Sequence, residues 1–552
     1  FGRNVPDETV PDADKMELGK IYHMGREEKA DLILNRQAMA SHTFVTGSTG
    51  TGKSNAVYHL LDEITKDGRT SFLVVEPAKG EYKNVFGSRA DVKVFGTNPR
   101  ETPLLRINPF AFPQNIHILE HIDRLVEIFN ACWPMYAAMP AVLKDAIERS
   151  YQKVGWDLRN SESEKGVFPT FFDLLDILPG VIEESHYSKD TQSDYVGALC
   201  TRVKSLTNGI YGSVFCAEDA LSDAELFDCN VVVDLSRVGS METKSLLMGI
   251  LVMKLQEYRM CGSEMNSRLR HVTVLEEAHN LLRKTSAEQP QEGANLQGKS
   301  VEMLANAIAE MRTYGEGFII ADQAPGLLDM SVIRNTNTKI ILRLPDEEDR
   351  KLVGKSAALK EAQIDELSKL PLGVAAVYQN EWPEAVLCKI EAYPMPENAV
   401  YHKPSKMPHE INAEFVFGQL AAGKELEPLS ISEMEQLKLW LKRHEMMLKP
   451  EDGRYLEQVF AGGELDVAKT RKAVFDFFGG ISTVVDYCAA AEKSFTPRKE
   501  FLEQLQGQYG LKAAAADWVL NSVISMGMSL NPDAPAVDNL RTNFEQQGGR
   551  VL

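Results

Sequence analysis

No hydrophobic run in this 552-residue chain approaches the length of a membrane span. The most apolar helical stretch, Ser245 to Leu255, is interrupted by Lys254 and falls far short of the roughly 20 residues that a bilayer core requires. No secretory leader is visible at the start, which is Phe1 and not Met. Cysteine is sparse. The seven are scattered, odd in number and form no CxxC pair, which excludes a disulfide framework and gives no zinc spacing, so a reducing cytoplasm is expected. Positive charge is also short: the formal net charge is -19. That excludes a uniformly basic surface for non-specific nucleic-acid binding, although a ring could line its pore alone with cations.

What remains is an ordinary globular composition, 44% hydrophobic and 25% charged, in a chain too long for one core, so two or more domains are expected. From His42 to Gln379, short β-rich runs alternate with longer helical segments, the pattern of a parallel sheet covered on both faces. Strands are predicted at His42–Thr46, Ser71–Glu76, Val92–Phe95, Asn230–Asp234, His271–Leu275, Gly317–Ala321, Lys339–Leu344 and Gly373–Tyr378. Several are near-continuous apolar runs, as strands buried on both faces should be. Between Asn115 and Tyr211 the strand signal gives way to helical periodicity. A Pro-rich linker follows Pro394, and helices are predicted beyond it at Ser432–Met447, Thr470–Phe478, Arg498–Gln508 and Ala513–Ser525, with a loosely ordered end from Asn531.

The fold class expected is α/β with a mainly parallel sheet, and the motif GSTGTGKS at Gly47 to Ser54 makes its core a RecA-like P-loop ATPase core. The division expected is an N-terminal segment over 1–40, the first part of that core over 41–113, a helical insertion over 114–211, the rest of the core over 212–393, a linker over 394–430 and a helical domain over 431–552.

Chemistry enters at GSTGTGKS, Gly47 to Ser54, which fits G-x-x-x-x-G-K-[ST] and stands between a predicted strand and a helix. Glycines let successive backbone N–H groups converge on phosphates, and the helix N-terminus adds a favourable dipole. Gly47, Ser48, Thr49, Gly50, Thr51, Gly52, Lys53, Ser54 and Asn55 are therefore candidate ATP-binding residues, with Lys53 reaching the β- and γ-phosphates and the Ser54 hydroxyl a Mg²⁺ ligand.

A second element, HVTVLEEAHNLL at His271 to Leu282, is an apolar strand ending in paired carboxylates. It reads as a Walker B strand in which Glu276 holds Mg²⁺ through water and Glu277 orients and polarises the attacking water. Glu stands where Asp is usual at the first position. The EEAH tetrad superficially matches DEAH helicases, but no second P-loop-like domain accompanies it.

With SHTFVTGSTGTGKS, VVEPAKGEY (Val74–Tyr82), INPF (Ile107–Phe110), VVVDLS (Val231–Ser236), VLEEAHNLL, AEMRTYGEGFIIADQAP (Ala309–Pro325) and IRNTNTKIILRL (Ile333–Leu344), the chain resembles the HerA family of DNA translocases, within the HerA/FtsK group. The resemblance runs from about Met16 to Glu391.

It implies nucleotide-proximal roles for Glu76 and Glu81, whose alternative is a solvated loop. Gln323 resembles the family's polar sensor, and Arg312 and Arg343 resemble its phosphate-proximal arginines, in cis or in trans; the alternatives are a buried hydrogen-bonded Gln and ordinary ion pairs. It also implies a homohexamer around double-stranded DNA, working with a NurA-like nuclease or an antiviral defence effector and without a membrane.

The family's small N-terminal β-barrel is not expected in the forty residues ahead of the P-loop strand, and the C-terminal helical region is longer than the family's trailing arm. Weak DNA-contact candidates are Arg237, Lys244, Arg283 and Lys284. A secretion or conjugation pump and an ATP-dependent scaffold that activates a partner enzyme are the competing functions.

Overall fold

In a computed structural model of the chain, the described residues are 1–403 apart from 67, 136–137, 164–165, 218–219, 263, 286–295 and 396–399, together with 451, 454–455, 458, 466–478, 480–493, 496–509, 513–530, 535–547 and 549. The chain divides into two units, residues 1–162 with 168–403, and 163–167 with 404–552.

The strands in chain order are β1 (Lys15–His23), β2 (Arg26–Asn35), β3 (Thr43–Thr46), β4 (Ser71–Glu76), β5 (Val92–Gly96), β6 (Trp156–Asp157), β7 (Glu162–Ser163), β8 (Asn230–Asp234), β9 (His271–Glu276), β10 (Glu316–Asp322), β11 (Thr338–Ile341), β12 (Val374–Gln379) and β13 (Val386–Ile390). All but β6 and β7 form one sheet, ordered β2-β1-β13-β12-β11-β3-β10-β9-β4-β8-β5. From β5 through to β11 neighbouring strands are parallel; from β11 through to β2 they are antiparallel.

The parallel strands are apolar throughout because both faces are covered. On β4, Leu73 and Val75 point into a core shared with the helical insertion, whereas Phe72 and Val74 point into the core that packs the helix Lys53–Thr65 through Val57, Leu60, Leu61 and Ile64. Strand β3 lies between β10 and β11, so chain connections leave it in opposite directions. In an open α/β sheet such a reversal opens a crevice at the carboxyl edge, where ligands bind.

Among the described residues of 118–215 helices dominate, with a small β6–β7 hairpin that the periodicity does not announce. The helix Phe171–Glu184 starts at a capping box in which Thr170 and Asp173 bond each other's backbone N–H groups. Asn108 of the INPF element anchors that start: its Nδ2 donates to the Pro169 carbonyl at 2.9 Å, and its Oδ1 accepts the Phe110 N–H at 3.0 Å.

Three strands of the large sheet were not expected. β1 and β2 form a hairpin turning at Met24 and Gly25, both at positive φ, and β13 joins them to the sheet. The charged start of β2, Arg26 to Lys29, is exposed and so lacks the alternation that marks a half-buried strand. β11 stops at Ile341, short of the predicted Leu344, because the chain is drawn around the P-loop: the Leu342 N–H donates to the Thr46 carbonyl at 2.8 Å, and the Arg343 carbonyl accepts the Ser48 N–H at 3.0 Å.

In the second unit the described helices are Val467–Phe477, Gly480–Lys493, Pro497–Tyr509, Ala513–Leu530 and Pro535–Gln546. The last of these replaces the loose end expected after Asn531. It is fixed by Phe544, which is fully buried against Tyr487. The helix predicted at Ser432–Met447 lies outside the described residues.

Candidate active site at the carboxyl edge of the sheet

Five neighbouring strands bring their carboxyl ends to one edge: β3 leads into Gly47, β4 ends at Glu76, β8 at Asp234, β9 at Glu276, and β10 at Asp322 beside Gln323. The P-loop is shaped by Gly50 and Gly52, at φ 75° and 105°, and by the Thr51 hydroxyl, which donates to the Ser48 carbonyl at 2.7 Å. At Gly47 a Cβ would stand 2.7 Å from both Leu342 Cβ and Thr51 Oγ1, so a side chain is excluded there. The helix that follows is capped by no side chain, and its N-terminus lies open for an anion.

Lys53 is buried and donates to Glu276 Oε2 at 2.8 Å, with Glu277 Oε1 at 3.7 Å. Burial works against its charge, yet Glu276 and then Glu277 hold the ammonium above its ordinary range. The other Glu276 oxygen accepts the Tyr82 hydroxyl at 2.6 Å. Glu277 sits at φ 46°, ψ 50°, a left-handed backbone unusual for a residue with a side chain, and accepts a hydrogen bond from Gln323 Nε2 at 2.5 Å. Gln323 in turn accepts the Thr49 hydroxyl at 2.6 Å, so one side chain links the P-loop to the Walker B carboxylate.

A cleft beside these groups is lined by Ser54, Glu76, Lys79, Glu81, Tyr82, Glu276 and Glu277. Glu76 accepts the Glu81 and Tyr82 N–H groups at 2.8 and 3.1 Å; burial nevertheless pushes its carboxyl up to about 8 against those two bonds. The folded protein therefore retains on Glu76 a proton that the unfolded chain releases above 4.5. Stability from this group accordingly falls as pH rises from about 4.5 to about 8. Glu76→Gln is expected to remove that fall, gaining on the wild type between pH 5 and pH 8.5; unfolding midpoints that track in parallel across this window would contradict it.

Other predicted residues stand apart. The side chain of Asn55 is engaged elsewhere: its amide donates to the Glu391 carbonyl at 2.9 Å and accepts the Tyr393 N–H at 2.9 Å, so it ties the helix to the chain after β13. Arg343 is exposed, with only its carbonyl on the P-loop. Arg312 is exposed ahead of β10, at the amino edge, roughly 20 Å away along a strand rising about 3.3 Å per residue. Arg237 pairs with Glu101 at 2.6 Å, Lys244 is half-buried, and Arg283 and Lys284 are exposed after β9.

The sequence reading passed over Tyr82, Asp234, His279 and Asp322. Tyr82 and His279 lay inside quoted motifs. Asp234, buried and 2.6 Å from Lys83 Nζ, and Asp322, fully buried, are strand-final acids that were visible as VVVD and IIAD.

The chain that carries this geometry is similar to known proteins. Residues 16–220 match the family described as the central domain of helicase HerA. The DNA double-strand break repair helicase HerA of Sulfolobus acidocaldarius is 25% identical over 397 residues, covering 70% of this chain and 71% of its own. Its namesake in Sulfurisphaera tokodaii is 23% identical over 391 residues, covering 70% and 71%.

Over residues 16–220 the chain is similar to the HerA family. It is a P-loop ATPase. Its P-loop ATPase fold is shared with VirB4 of Thermoanaerobacter pseudethanolicus (TM-score 0.52, 18% identity, 70% of this chain and 98% of that one) and with the bacterial conjugative coupling protein TrwB (TM-score 0.50, 14% identity, 72% and 100%). Among the described residues no helix is long and apolar enough to cross a membrane, and none of the seven cysteines forms a disulfide.

Proposed function

We propose that the protein is an ATP-driven, hexameric, HerA-type translocase or helicase of double-stranded DNA that works in a reducing cytoplasm with a nuclease or antiviral effector partner. The observation that carries the reading is the convergence on one edge of the P-loop, Lys53, the paired carboxylates and Gln323. The names of the archaeal relatives, DNA double-strand break repair helicases, support DNA as the track.

The donor set suits ATP with Mg²⁺. A hydroxyl (Ser54), the carboxylates of Glu276 and Glu277 and the carboxyl of Glu76 face one cleft with a single buried lysine among them, a surplus of hard oxygen ligands. Ser54 and Glu276 would hold the ion, which when bound neutralises charge on the β- and γ-phosphates.

The protein's own groups do the remaining work. The loop N–H groups of Gly47 to Lys53 bind phosphate oxygens, Lys53 exchanges its carboxylate partners for the phosphates, and Tyr82 keeps Glu276 oriented. Glu277 takes up a water and polarises it for in-line attack, with Gln323 holding one of its oxygens. Glu81, half-exposed at the rim, lies near the nucleotide. Arg343 stands beside the P-loop of its own subunit, whereas Arg312 could meet a γ-phosphate only across a subunit interface. A head-to-tail ring provides such an interface. Arg283 and Lys284 follow the catalytic turn and would face DNA in the pore.

The deciding experiment measures ATPase rate against linear double-stranded DNA for the wild type, Glu277→Gln and Arg312→Ala, with subunit number from light scattering. Strong stimulation by DNA in a hexamer whose hydrolysis requires Glu277 is expected. A Glu277-dependent rate that ignores DNA would overturn the translocase in favour of a scaffold or a protein pump, and an undiminished Arg312→Ala would remove that arginine from the reaction.

A further inference from the structure

His279 occupies the turn after β9, with its imidazole wedged between two carboxylates. Nδ1 lies 2.8 Å from Asp322 Oδ2 and 3.7 Å from Glu277 Oε2. The His279 backbone N–H donates to the same Asp322 oxygen at 2.9 Å, and the other Asp322 oxygen accepts the Ala324 N–H at 2.9 Å. Asp322 is fully buried, so these bonds fix it from several directions. An ionised carboxylate only accepts hydrogen bonds, so Nδ1 must carry the proton of this contact in either charge state of the ring. That N–H is then directed to the acidic side of the ring.

Glu277 needs such support. Its backbone is left-handed, a strained conformation for a residue with a side chain that persists only where the surroundings over-determine it. Its carboxylate has three polar neighbours: Gln323 Nε2 on Oε1, Lys53 at 3.7 Å from the same oxygen, and His279 facing Oε2. Lys53 is committed mainly to Glu276 and has a phosphate to serve. Gln323 and His279 are the two neighbours that need not move during a turnover, and each addresses a different oxygen. Both are placed by consecutive residues, since Asp322 directly precedes Gln323 at the end of β10.

We propose that His279, clamped by Asp322, is a positioning residue that holds the Glu277 carboxylate in its water-polarising orientation. The pair takes no proton from the reaction: Nδ1–H stays on the ring, and the water's proton goes toward Glu277. Burial and the Asp322 bond act on the ring in opposite directions. The bond prevails, raising the ring above the ordinary histidine value, with Glu277 adding to it and Arg283 opposing. The inference rests on the reading of Glu277 as the residue that polarises water.

The test uses two polar replacements of the full-length chain with opposite expectations. In His279→Asn the side-chain NH₂ takes the place of Nδ1–H and keeps the Asp322 bond. In His279→Gln the amide reaches past that position toward the place of Nε2. Steady-state ATP hydrolysis is expected to show kcat near wild type for Asn and lowered roughly 10- to 100-fold for Gln, the usual loss when an orienting partner is removed, with KM for ATP unchanged. Adding His279→Gln to Glu277→Gln should lower kcat no further, because both substitutions remove the same function.

Equal rates for the Asn and Gln variants, or losses that multiply in the double variant, would overturn the positioning role while leaving Glu277 catalytic. Wild-type hydrolysis by Glu277→Gln alone would instead overturn the underlying reading, and this inference with it.

Discussion

Lys53→Ala is expected to abolish ATP binding and to destabilise the nucleotide-free protein, whereas Glu277→Gln should abolish hydrolysis while leaving ATP binding intact. The difference follows from where each charge is held. Lys53 is the buried counter-ion of Glu276, at 2.8 Å, with side-chain exposures of 6% and 8%. Removing one partner of a buried pair leaves an uncompensated charge, at about 3–5 kcal/mol. Tyr82 alone would then face Glu276. Glu277→Gln keeps an oxygen for Gln323 and is nearly isosteric, so the fold should be preserved, but a neutral amide cannot polarise water. A fall in kcat of about 100-fold or more is expected, within the range attributed to general-base catalysis. Binding of a fluorescent ATP analogue, single-turnover hydrolysis and urea unfolding separate the two variants. A Lys53→Ala protein that unfolds at the wild-type midpoint would show that the Lys53–Glu276 pair does not stabilise the free state.

The second large effect lies at the opposite edge of the sheet. Glu316, at the start of β10 and fully buried, accepts from Arg259 Nε at 3.0 Å and from the Thr273 hydroxyl at 2.9 Å, and lies 2.7 Å from His271 Nδ1. Burial pushes its carboxyl up, but His271 and then Arg259 prevail and hold it below the usual range. Glu316→Gln would leave the buried Arg259 with Asp228 at 2.8 Å and the Phe227 carbonyl only. A loss of about 3–5 kcal/mol is expected, read as a lower urea midpoint for the ATPase core. A midpoint within about 0.5 kcal/mol of wild type, the range of an ordinary surface substitution, would contradict the account.

The parts of this protein that could be read in advance are those where one physical demand acts alone. β4, β8, β9 and β10 are buried on both faces and announce themselves as apolar runs. The P-loop shows because glycine and lysine have no substitutes in their places. β1 and β2 were missed because the exposed half of β2 carries charge, and β13 because VLCKI is too short to separate from a loop.

At the site, Glu276 and Glu277 stood out as a pair, but the acids that hold their surroundings came one to a strand. Asp322 meets the turn after β9, and Asp234 meets Lys83 after β4, only through a strand order that the sequence does not print. Asn55 was read only as part of the P-loop, and the second task of its side chain, holding the chain after β13, depends on a contact more than 300 residues away in sequence.

The embrace of Lys53 by Glu276 and Glu277 has a thermodynamic consequence. A nucleotide entering alone must draw the lysine away and set its own phosphates beside two newly uncovered carboxylates, with Glu76 close by. A divalent cation entering alone meets a site already partly neutralised by the ammonium. Each ligand lowers the electrostatic barrier for the other, so ATP and the cation should bind with positive heterotropic coupling, and by linkage the enhancement must be equal in both directions. A site wired in this way discriminates against free nucleotide and responds to the metal–nucleotide complex as a single effector.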